Sequence, residues 1–348
     1  MRFDTSAPSL SALQKMLLLR RIPTYTRLDD DDLQLIAENF DTTILSKGDI
    51  LFRQGEPVTK TYHVIEGKVR IESADGHVEF IDSSMVGIGL ITQFAQINAS
   101  TTAIAEEDTF ALVLSAHDIS ELFEKRSTIL CIAIETIARQ IHQLRREAGY
   151  YIPLSGAIKG SSLPDLGDKF DLIHRTQLLR LMLTMSTFRV SIAFEMARHT
   201  QPLTLLAGSE LWLEGEEADH FYFIIDGLVE CRTHTESESF ELGPRDAVAL
   251  VDILARIPYT YSARAVGKVR ALRVPSRSFW RVISDNHEFG ISTLSIAARI
   301  ALGLMQKGHS TAVVSDSDDS DLEEWMAHLP PSVPQIDSNN RGNRDNSK

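Results

Sequence analysis

Side chains able to carry out catalysis or bind metals are scattered in this sequence. The two cysteines, Cys131 and Cys231, stand in apolar patterns without the short spacing of a zinc site. His63 and His77 are fourteen residues apart and form no His-x-His pair. The sequence contains no glycine-rich phosphate loop and no nucleophile elbow. These patterns predict a protein that is not an enzyme, with no catalytic residues and no metal site.

Composition narrows the class of protein further. The chain has 348 residues and a formal net charge of −13, which is long enough for two domains with separate cores. The acidic balance argues against a broad basic face for nucleic acid. No apolar run approaches the length of a membrane span, and Leu17–Leu19 is too short for a signal peptide. We therefore expect a cytoplasmic protein that binds no nucleic acid and inserts into no membrane.

Glycines mark the same turns twice, 160 residues apart. Residues 47–71 contain short β-prone runs that end in glycine, and residues 207–231 repeat this pattern. The corresponding glycines are Gly48 and Gly208, Gly55 and Gly215, and Gly67 and Gly227. Short apolar strands separated by glycine turns are typical of a β-barrel or sandwich. The constant offset, which persists to Leu304, predicts duplication of a whole helix–barrel–helix module.

The predicted boundaries follow from changes of composition along the chain. Proline, glycine and serine are frequent between the two modules, which indicates a linker. The predicted organisation is a flexible N-terminus at 1–14, a first module at 15–147, a linker at 148–168, a second module at 169–307 and a disordered acidic tail at 308–348.

The first module ends in a predicted helix over 118–146. Its apolar residues recur at steps of four and three, at Leu130, Ile134, Ile137, Ile141 and Leu144. This heptad stripe indicates one of two arrangements: a helix that packs back on its own barrel, or a helix that pairs with a second chain in a homodimer. The spacing leaves both open.

The tail contains one apolar cluster. Residues 315–321 read S-D-S-D-D-S-D and are too polar to form a core. A short helical motif is predicted over 321–329, where Leu322, Trp325, Met326 and Leu329 stand at i, i+3, i+4 and i+7. This spacing is typical of a helix that binds in the groove of a protein partner. It is equally typical of a helix that docks on its own domain.

Both copies of the repeated stretch follow one pattern, L-x-x-G-E-x-L-F-x-x-G-E and then Y-x-I-x-x-G-x-V. The matching residues are Leu45–Glu56 with Tyr62–Val69, and Leu205–Glu216 with Tyr222–Val229. Asp49 and Ser209 replace the first glutamate. In these residues the chain resembles the cyclic nucleotide-binding domains of catabolite activator proteins and of protein kinase A regulatory subunits. The resemblance implies a mainly β fold with helices, as two tandem jelly-roll β-barrels that are each flanked by helices.

The family holds its ligand with a cassette of pattern F-G-E-L-A-L-L followed by R-S/A-A, in which the glutamate binds the ribose and the arginine pairs with the phosphate. The resemblance places cassette positions on Gly89, Leu90, Ala99 and Ser100, and on Ala249, Leu250 and Tyr259. Neither copy has the glutamate or the arginine; Arg256 and Arg264 are the possible substitutes near the second cassette. Loss of two charged hydrogen bonds would cost on the order of 3–6 kcal/mol of binding free energy.

The sequence therefore predicts a non-enzymatic regulatory or scaffolding protein that has lost standard cyclic nucleotide binding and holds no cofactor. It would act through protein–protein contacts made by its terminal helices and tail. The alternative is a receptor for cyclic AMP, cyclic GMP or another small ligand, with a non-standard pocket and signalling by helix rearrangement.

Overall fold

The computed structural model describes residues 9–82, 87–148, 171–181, 189–234 and 239–310. The described part consists of two repeats of one architecture. Equivalent elements begin 160 residues apart, as Asp41 and Gln201 show for the first strand of each repeat. The duplication predicted from the glycine spacing therefore extends through the helices and strands.

The first repeat contains the following elements: α1 (Ala12–Leu19), a 3-10 turn (Tyr25–Arg27), α2 (Asp30–Asn39), β1 (Asp41–Leu45), β2 (Ile50–Phe52), β3 (Lys60–Glu66), β4 (Val69–Ser73), β5 (Val78–Ile81), β6 (Gly87–Ile88), α3 (Leu90–Ala95), β7 (Thr101–Ala105), β8 (Thr109–Ser115), α4 (Ala116–Lys125) and α5 (Ser127–Ala148).

The second repeat contains α6 (Leu172–Leu181), α7 (Val190–His199), β9 (Gln201–Leu205), β10 (Glu210–Trp212), β11 (His220–Asp226), β12 (Val229–Arg232), β13 (Ser239–Leu242), β14 (Ala247–Val248), α8 (Leu250–Ala255), β15 (Ser262–Ala265), β16 (Val269–Pro275), α9 (Ser276–Asp285) and α10 (His287–Ser310).

Each repeat folds into two four-stranded antiparallel sheets. The first repeat has the strand orders β1-β8-β3-β6 and β2-β7-β4-β5, and the second has β9-β16-β11-β14 and β10-β15-β12-β13. This is the strand order of a jelly roll, in which eight strands fold as two Greek keys. The predicted fold class, mainly β with helices in two tandem jelly-roll units, is confirmed.

Alternation along the strands separates the interior from the surface. In β4, Val69 is fully buried, whereas the next residue, Arg70, forms ion pairs with Glu72 and Glu106 on the outer face. Period-two alternation is what a sheet with one buried face requires. The alternation of apolar and polar residues within each strand therefore predicts which side chains face the interior.

The long terminal helices pair with each other. α5 packs along α10, and each of these helices also packs on the short helix that precedes the seventh strand of the other repeat: α5 on α8, and α10 on α3. A Cβ atom at Gly290 of α10 would lie only 2.6 Å from Cδ2 of Leu130, so glycine permits this close approach. Leu130, Ile134 and Ile141 are buried in the shared core.

Two expectations for this region need correction. The helix predicted over 118–146 is two helices, α4 and α5, because Arg126 adopts an extended conformation between them. The heptad stripe packs on α10 of the same chain, an arrangement that neither of the two interpretations included. A homodimer through this helix stays a prediction.

α10 is apolar enough over His287–Gln306 to meet the length and composition of a membrane span, contrary to our expectation that no segment would. More than half of this window, 56%, is buried inside the protein. Packing against α5 and α3 accounts for its apolar character, as in the core helix of a soluble protein.

Parts of the predicted organisation lie outside the described residues. These are residues 1–8 of the N-terminus, residues 149–170 that include almost all of the predicted linker, and residues 311–348 of the predicted tail. Residues 12–14 of the segment predicted to be flexible begin α1, which Ser11 and Gln14 cap reciprocally.

Two turn glycines give a matched test of the fold. Gly215 and Gly227 both have φ of 89°, but a Cβ atom would meet no other atom within 4 Å at Gly215 and would lie 2.4 Å from the carbonyl oxygen of Lys268 at Gly227. We expect Gly215→Ala to lower the free energy of unfolding by about 1–2 kcal/mol through backbone strain alone. Gly227→Ala should cost roughly 1–3 kcal/mol more, because the backbone must shift. Urea denaturation of the two variants measures this difference; equal losses would contradict the close approach.

Candidate functional site

Two six-residue helices, α3 and α8, occupy equivalent places in the two repeats. Each follows a residue in the left-handed conformation, Gly89 with φ of 84° and Ala249 with φ of 66°. This conformation costs an alanine about 1–2 kcal/mol relative to glycine. In the second repeat the surrounding structure must therefore hold Ala249 in place.

The first repeat contains a cavity of about 480 Å³ beside α3. This volume falls within the range of small-molecule sites in proteins. Its walls come from β2, β4, β5, β6, β7 and α3 of the first repeat and from α5 and α10. The lining residues are Phe52, Gln54, Ile71, Ser73, Ala74, Asp75, His77, Glu79, Ile81, Gly87, Ile88, Gly89, Ile91, Thr92, Ser100, Thr101, Gln140, Leu302, Met305 and Gln306.

The structure brings only some of the expected cassette residues to this cavity. Gly89 and Ser100 line it. Ala99 is buried in the small apolar cluster that also contains Phe52. Leu90 lines a separate apolar cavity of about 70 Å³ next to α4 and α5. The leucine at the position of the ribose-binding glutamate is thus part of the core packing and is not a lining residue of the larger cavity.

The described lining of the large cavity contains two acidic residues, Asp75 and Glu79, and neither lysine nor arginine. The remaining polar groups are amides, hydroxyls and His77. A buried phosphate without a cation loses its hydration and gains no ion pair in return. The chemistry of these walls therefore favours uncharged or cationic ligands over anions.

The second repeat supplies one wall of the first repeat's cavity. Leu302, Met305 and Gln306 of α10 line it, and the amide of Gln140 on α5 contacts the sulfur of Met305 at 3.9 Å. A ligand in this cavity would therefore touch both members of the helix pair that joins the repeats.

The equivalent space in the second repeat is filled by aromatic side chains. Trp212 stacks on Tyr259 with ring centroids 4.3 Å apart and on Tyr222 at 5.5 Å. Its indole N–H donates to the carbonyl oxygen of Tyr261 at 2.7 Å. The hydroxyl of Tyr261 accepts the backbone N–H of Ala249 at 2.8 Å. This last bond stabilises the left-handed residue before α8 and places a tyrosine ring where a ligand would lie.

A comparison of the two repeats at an offset of 160 explains the difference. Tyr259 corresponds to Ala99, and Tyr261 corresponds to Thr101. Thr101 lines the open cavity of the first repeat, whereas Tyr261 at its position places a ring in the second. Ala99 lies in the apolar cluster next to the cavity, and Tyr259 at its position stacks on Trp212. Tyr259 is also bonded to β11, since its hydroxyl donates to the carbonyl oxygen of His220 at 2.7 Å.

Asp252 is a buried carboxylate on α8. Its oxygens accept from the hydroxyl of Thr260 at 2.9 Å and from the backbone N–H of Thr260 at 3.3 Å. Burial raises the pKa of Asp252 to about 6, although the bonds from Thr260 and the charge of Arg145 on α5 oppose the rise. Asp252 therefore links the closed site to the terminal helix of the first repeat.

The two arginines considered as substitutes do not line a ligand site. Arg264 is bonded to Glu230 at 2.7 Å, and more than half of its side chain is exposed. The guanidinium of Arg256 lies 4.4 Å from the ring centroid of Trp280 and 3.7 Å from the carboxylate of Glu135. Leu250, the second repeat's counterpart of Leu90, is buried in the core.

Arginines from the paired helices bind the C-terminal ends of the short helices in reciprocal fashion. Arg299 of α10 donates from Nε to the carbonyl oxygen of Ala95 at 2.8 Å, and Ser295 donates to the same oxygen at 3.1 Å. In the other direction, Arg139 of α5 donates to the carbonyl oxygen of Arg256 at 3.4 Å. A movement of α3 would therefore be transmitted to α10.

Sequence reasoning missed three features of these sites. The contribution of α10 to the first cavity depends on how the repeats pack, which no local pattern encodes. The closure of the second site could have been anticipated from the sequence, because tyrosines stand at the two positions that correspond to Ala99 and Thr101. The arginine contacts could have been suspected because Arg139 and Arg299 obey the offset of 160.

Within the described ranges, no group of three His, Cys, Asp or Glu residues could hold a metal ion. Both cysteines are buried and free. Burial raises the pKa of the Cys131 thiol, which disfavours the reactive thiolate. The predicted partner-binding residues Leu322, Trp325, Met326 and Leu329 lie outside the described residues.

Comparison with known proteins gives one family match in each of the two repeats. The family model of the cyclic nucleotide-binding domain matches residues 43–126 and 202–286. A protein of Rhodopseudomonas palustris whose name describes a potassium channel is 27% identical over 129 residues, 36% of this chain and 29% of that protein. The chain spans less than a third of the length of the curated relatives it matches.

Similar solved structures include the regulatory domain of Toxoplasma gondii protein kinase A with cyclic AMP. It is 13% identical with a TM-score of 0.30, covering 86% of this chain and 97% of that one. The sensor domain of the regulator DNR from Pseudomonas aeruginosa is 21% identical with a TM-score of 0.35, covering 42% and 98%. These scores are low, and the fold assignment stands on the strand order and the family model.

The bond between Tyr261 and Ala249 gives a first prediction for the second site. Tyr261→Phe would leave the buried N–H of Ala249 without its acceptor, and we expect a loss of about 1–3 kcal/mol in the free energy of unfolding. Tyr62→Phe, the same change at a buried tyrosine of the first repeat, serves as the control. Thermal or urea unfolding measures both; a Tyr261→Phe protein as stable as the control would show that the bond does not hold the site closed.

The pKa of Asp252 gives a second prediction. Because the folded protein binds this proton more tightly than the unfolded chain, with a pKa of about 6 in the folded state, Asp252 lowers stability as the pH rises from about 4 to about 6. Asp252→Asn removes this pH-dependent contribution to the free energy of unfolding. Between about pH 4 and about pH 6 the stability of the variant should rise by about 2–3 kcal/mol relative to wild type, and above about pH 6 the difference should stay constant. The exposed Asp41→Asn is the control, and a pH-independent difference for Asp252→Asn would refute the assignment.

Proposed function

We propose that the two segments matched by the family model of the cyclic nucleotide-binding domain form a non-enzymatic regulatory module of the cytoplasm. In this proposal the first repeat receives a small uncharged ligand of nucleoside-like size and polarity. The second repeat has become a structural partner that binds no ligand. The output is a change in protein–protein contacts made by the terminal helices and tail.

One observation carries the proposal: an open cavity without a cation in the described lining of the first repeat, beside a closed and aromatic counterpart in the second. A cyclic nucleotide carries a phosphate charge, which Asp75 and Glu79 would repel. An uncharged ligand avoids this penalty. It could still use the hydroxyls and amides that Ser73, Ser100 and Gln140 offer to the cavity.

The route of the signal follows from the walls of the cavity. A ligand that fills the space beside α3 would contact Met305 and Gln306 of α10 directly. Arg299 fixes α10 to the end of α3 through the carbonyl oxygen of Ala95. A change at α3 would therefore shift the α5–α10 pair, which joins the two repeats.

A receptor for cyclic AMP or cyclic GMP is the second candidate. The observation that favours it is the open cavity next to the left-handed Gly89, at the place where the resemblance puts the start of the phosphate-binding helix. The two candidates differ in the charge of the preferred ligand, and this difference can be measured.

The test compares charged and uncharged versions of one ligand. We expect adenosine or guanosine to bind at least as tightly as cyclic AMP or cyclic GMP in isothermal titration, with one site per chain. Ser100→Arg adds a cation to the cavity wall, so it should raise the affinity for cyclic AMP relative to adenosine by roughly tenfold or more. Ser46→Arg, the same change in an exposed turn, should leave that ratio unaltered.

A strong preference of the wild-type protein for cyclic nucleotides would reject the proposal in favour of the second candidate. Binding that disappears in Arg264→Ala would do the same, because this arginine lies on the outer surface, bonded to Glu230. If no nucleoside or cyclic nucleotide binds, the scaffold role alone remains.

A further inference from the structure

The outer face of one sheet in the first repeat carries exposed apolar side chains on both sides of Arg70, and we call this set the apolar row. In the sheet β2-β7-β4-β5, Ile50 is paired with Ile104, Ile104 with Arg70, and Arg70 with Phe80. Residues paired across antiparallel strands point to the same side of a sheet. Val78, two residues before Phe80, extends the row. Phe80, Val78 and Ile50 are 55%, 41% and 39% exposed, respectively, so this row is a surface feature.

The second repeat has charges in the same row. Glu210 is paired with Arg264, Arg264 with Glu230, and Glu230 with Glu241. Glu230 also bonds Arg264 at 2.7 Å. The same sheet architecture therefore folds with a charged outer face, and the apolar row of the first repeat is not required by the fold. Clustered exposed apolar side chains mark interaction surfaces, and Val78 with Phe80 on β5 is such a cluster.

The described part of the chain ends beside this sheet. α10 starts in the second repeat and runs to the first, where Met305 and Gln306 line the same cavity as Glu79 and Ile81. Phe80 lies between these last two residues on β5, and its side chain points to the opposite face. The chain thus leaves α10 close to the strand that carries Phe80 and Val78.

The sequence that follows contains one segment of matching chemistry. Its apolar residues are Leu322, Trp325, Met326 and Leu329, at the spacing of one helix face. Residues 311–321 precede the segment and can span up to about 36 Å when extended, more than the thickness of a jelly roll, about 10 Å between its sheets. Six acidic residues lie within 316–324. One basic group lies beside the row, since Nζ of Lys68 is 5.7 Å from the ring centroid of Phe80.

We propose that residues 322–329 of the same chain bind the outer face of the sheet β2-β7-β4-β5 in the first repeat. Trp325 and its apolar neighbours would cover Ile50, Val78 and Phe80. The acidic residues before them would lie near Lys68. This proposal does not rest on the ligand proposed for the cavity.

The three tryptophans of the chain make the proposal measurable in the full-length protein. Trp212 and Trp280 are buried, so quenching of tryptophan fluorescence by acrylamide reports mainly on Trp325. In the wild-type chain we expect Trp325 to be shielded. Phe80→Asp should increase the quenching constant of the accessible fraction about threefold or more, toward that of the isolated peptide 315–331. Leu206→Asp, at an apolar residue of the second repeat that is 71% exposed, is the matched control and should change nothing.

Hydrogen exchange supplies the reciprocal measurement, which does not depend on the fold of the Phe80 variant. In Trp325→Ser with Leu329→Ser, the backbone of β4 and β5 should exchange faster than in wild type, while β12 and β13 stay unchanged. Shielding that is independent of protein concentration supports docking within one chain. Three results would overturn the proposal: quenching of wild-type Trp325 equal to that of the free peptide, shielding that appears only at high concentration, or a response to Leu206→Asp in place of Phe80→Asp.

Discussion

The pairing of α5 with α10 is the constraint on which the rest of this structure depends. Each helix belongs to one repeat and packs on the short helix of the other. Arg139 and Arg299 stabilise this packing by donating hydrogen bonds to carbonyl oxygens at the ends of α8 and α3, respectively. The helices of the first repeat therefore share one core with the second repeat, while the interior of the first jelly roll forms a smaller core of its own. Each short helix is bonded to the terminal helix of the other repeat.

Within this shared frame the equivalent regions of the two repeats differ. The second is closed because Tyr259 and Tyr261 pack on Trp212 and because the hydroxyl of Tyr261 satisfies the amide of Ala249. These contacts fill the interior of the second repeat, on which α10 packs through α9. In the first repeat, threonine stands at the position of Tyr261 and lines an open cavity. A module with one adaptable site and one fixed copy fits a regulatory role.

The fold could be predicted from the sequence because its signals are local. Glycine turns such as Gly48 and Gly208, with φ of 91° and 78°, fix where strands end, and a constant offset reveals the duplication. The sites were harder to predict. An apolar stripe such as Leu130–Ile141 shows that a helix face is buried but does not say by which partner, and that partner proved to be α10. The sequence places Leu90 and Leu250 at the cassette positions, but only the packing shows that Leu90 lines a different cavity from Gly89.

The central claim is that one site is open to an uncharged ligand while the other is closed by its own tyrosines. A crystal structure of the full chain grown with saturating adenosine tests it most directly. The account predicts one nucleoside per chain, in contact with α10 in the first repeat, with the hydroxyl of Tyr261 still bonded to the amide of Ala249. A nucleoside in the second repeat, with Tyr259 or Tyr261 displaced from Trp212, would contradict it.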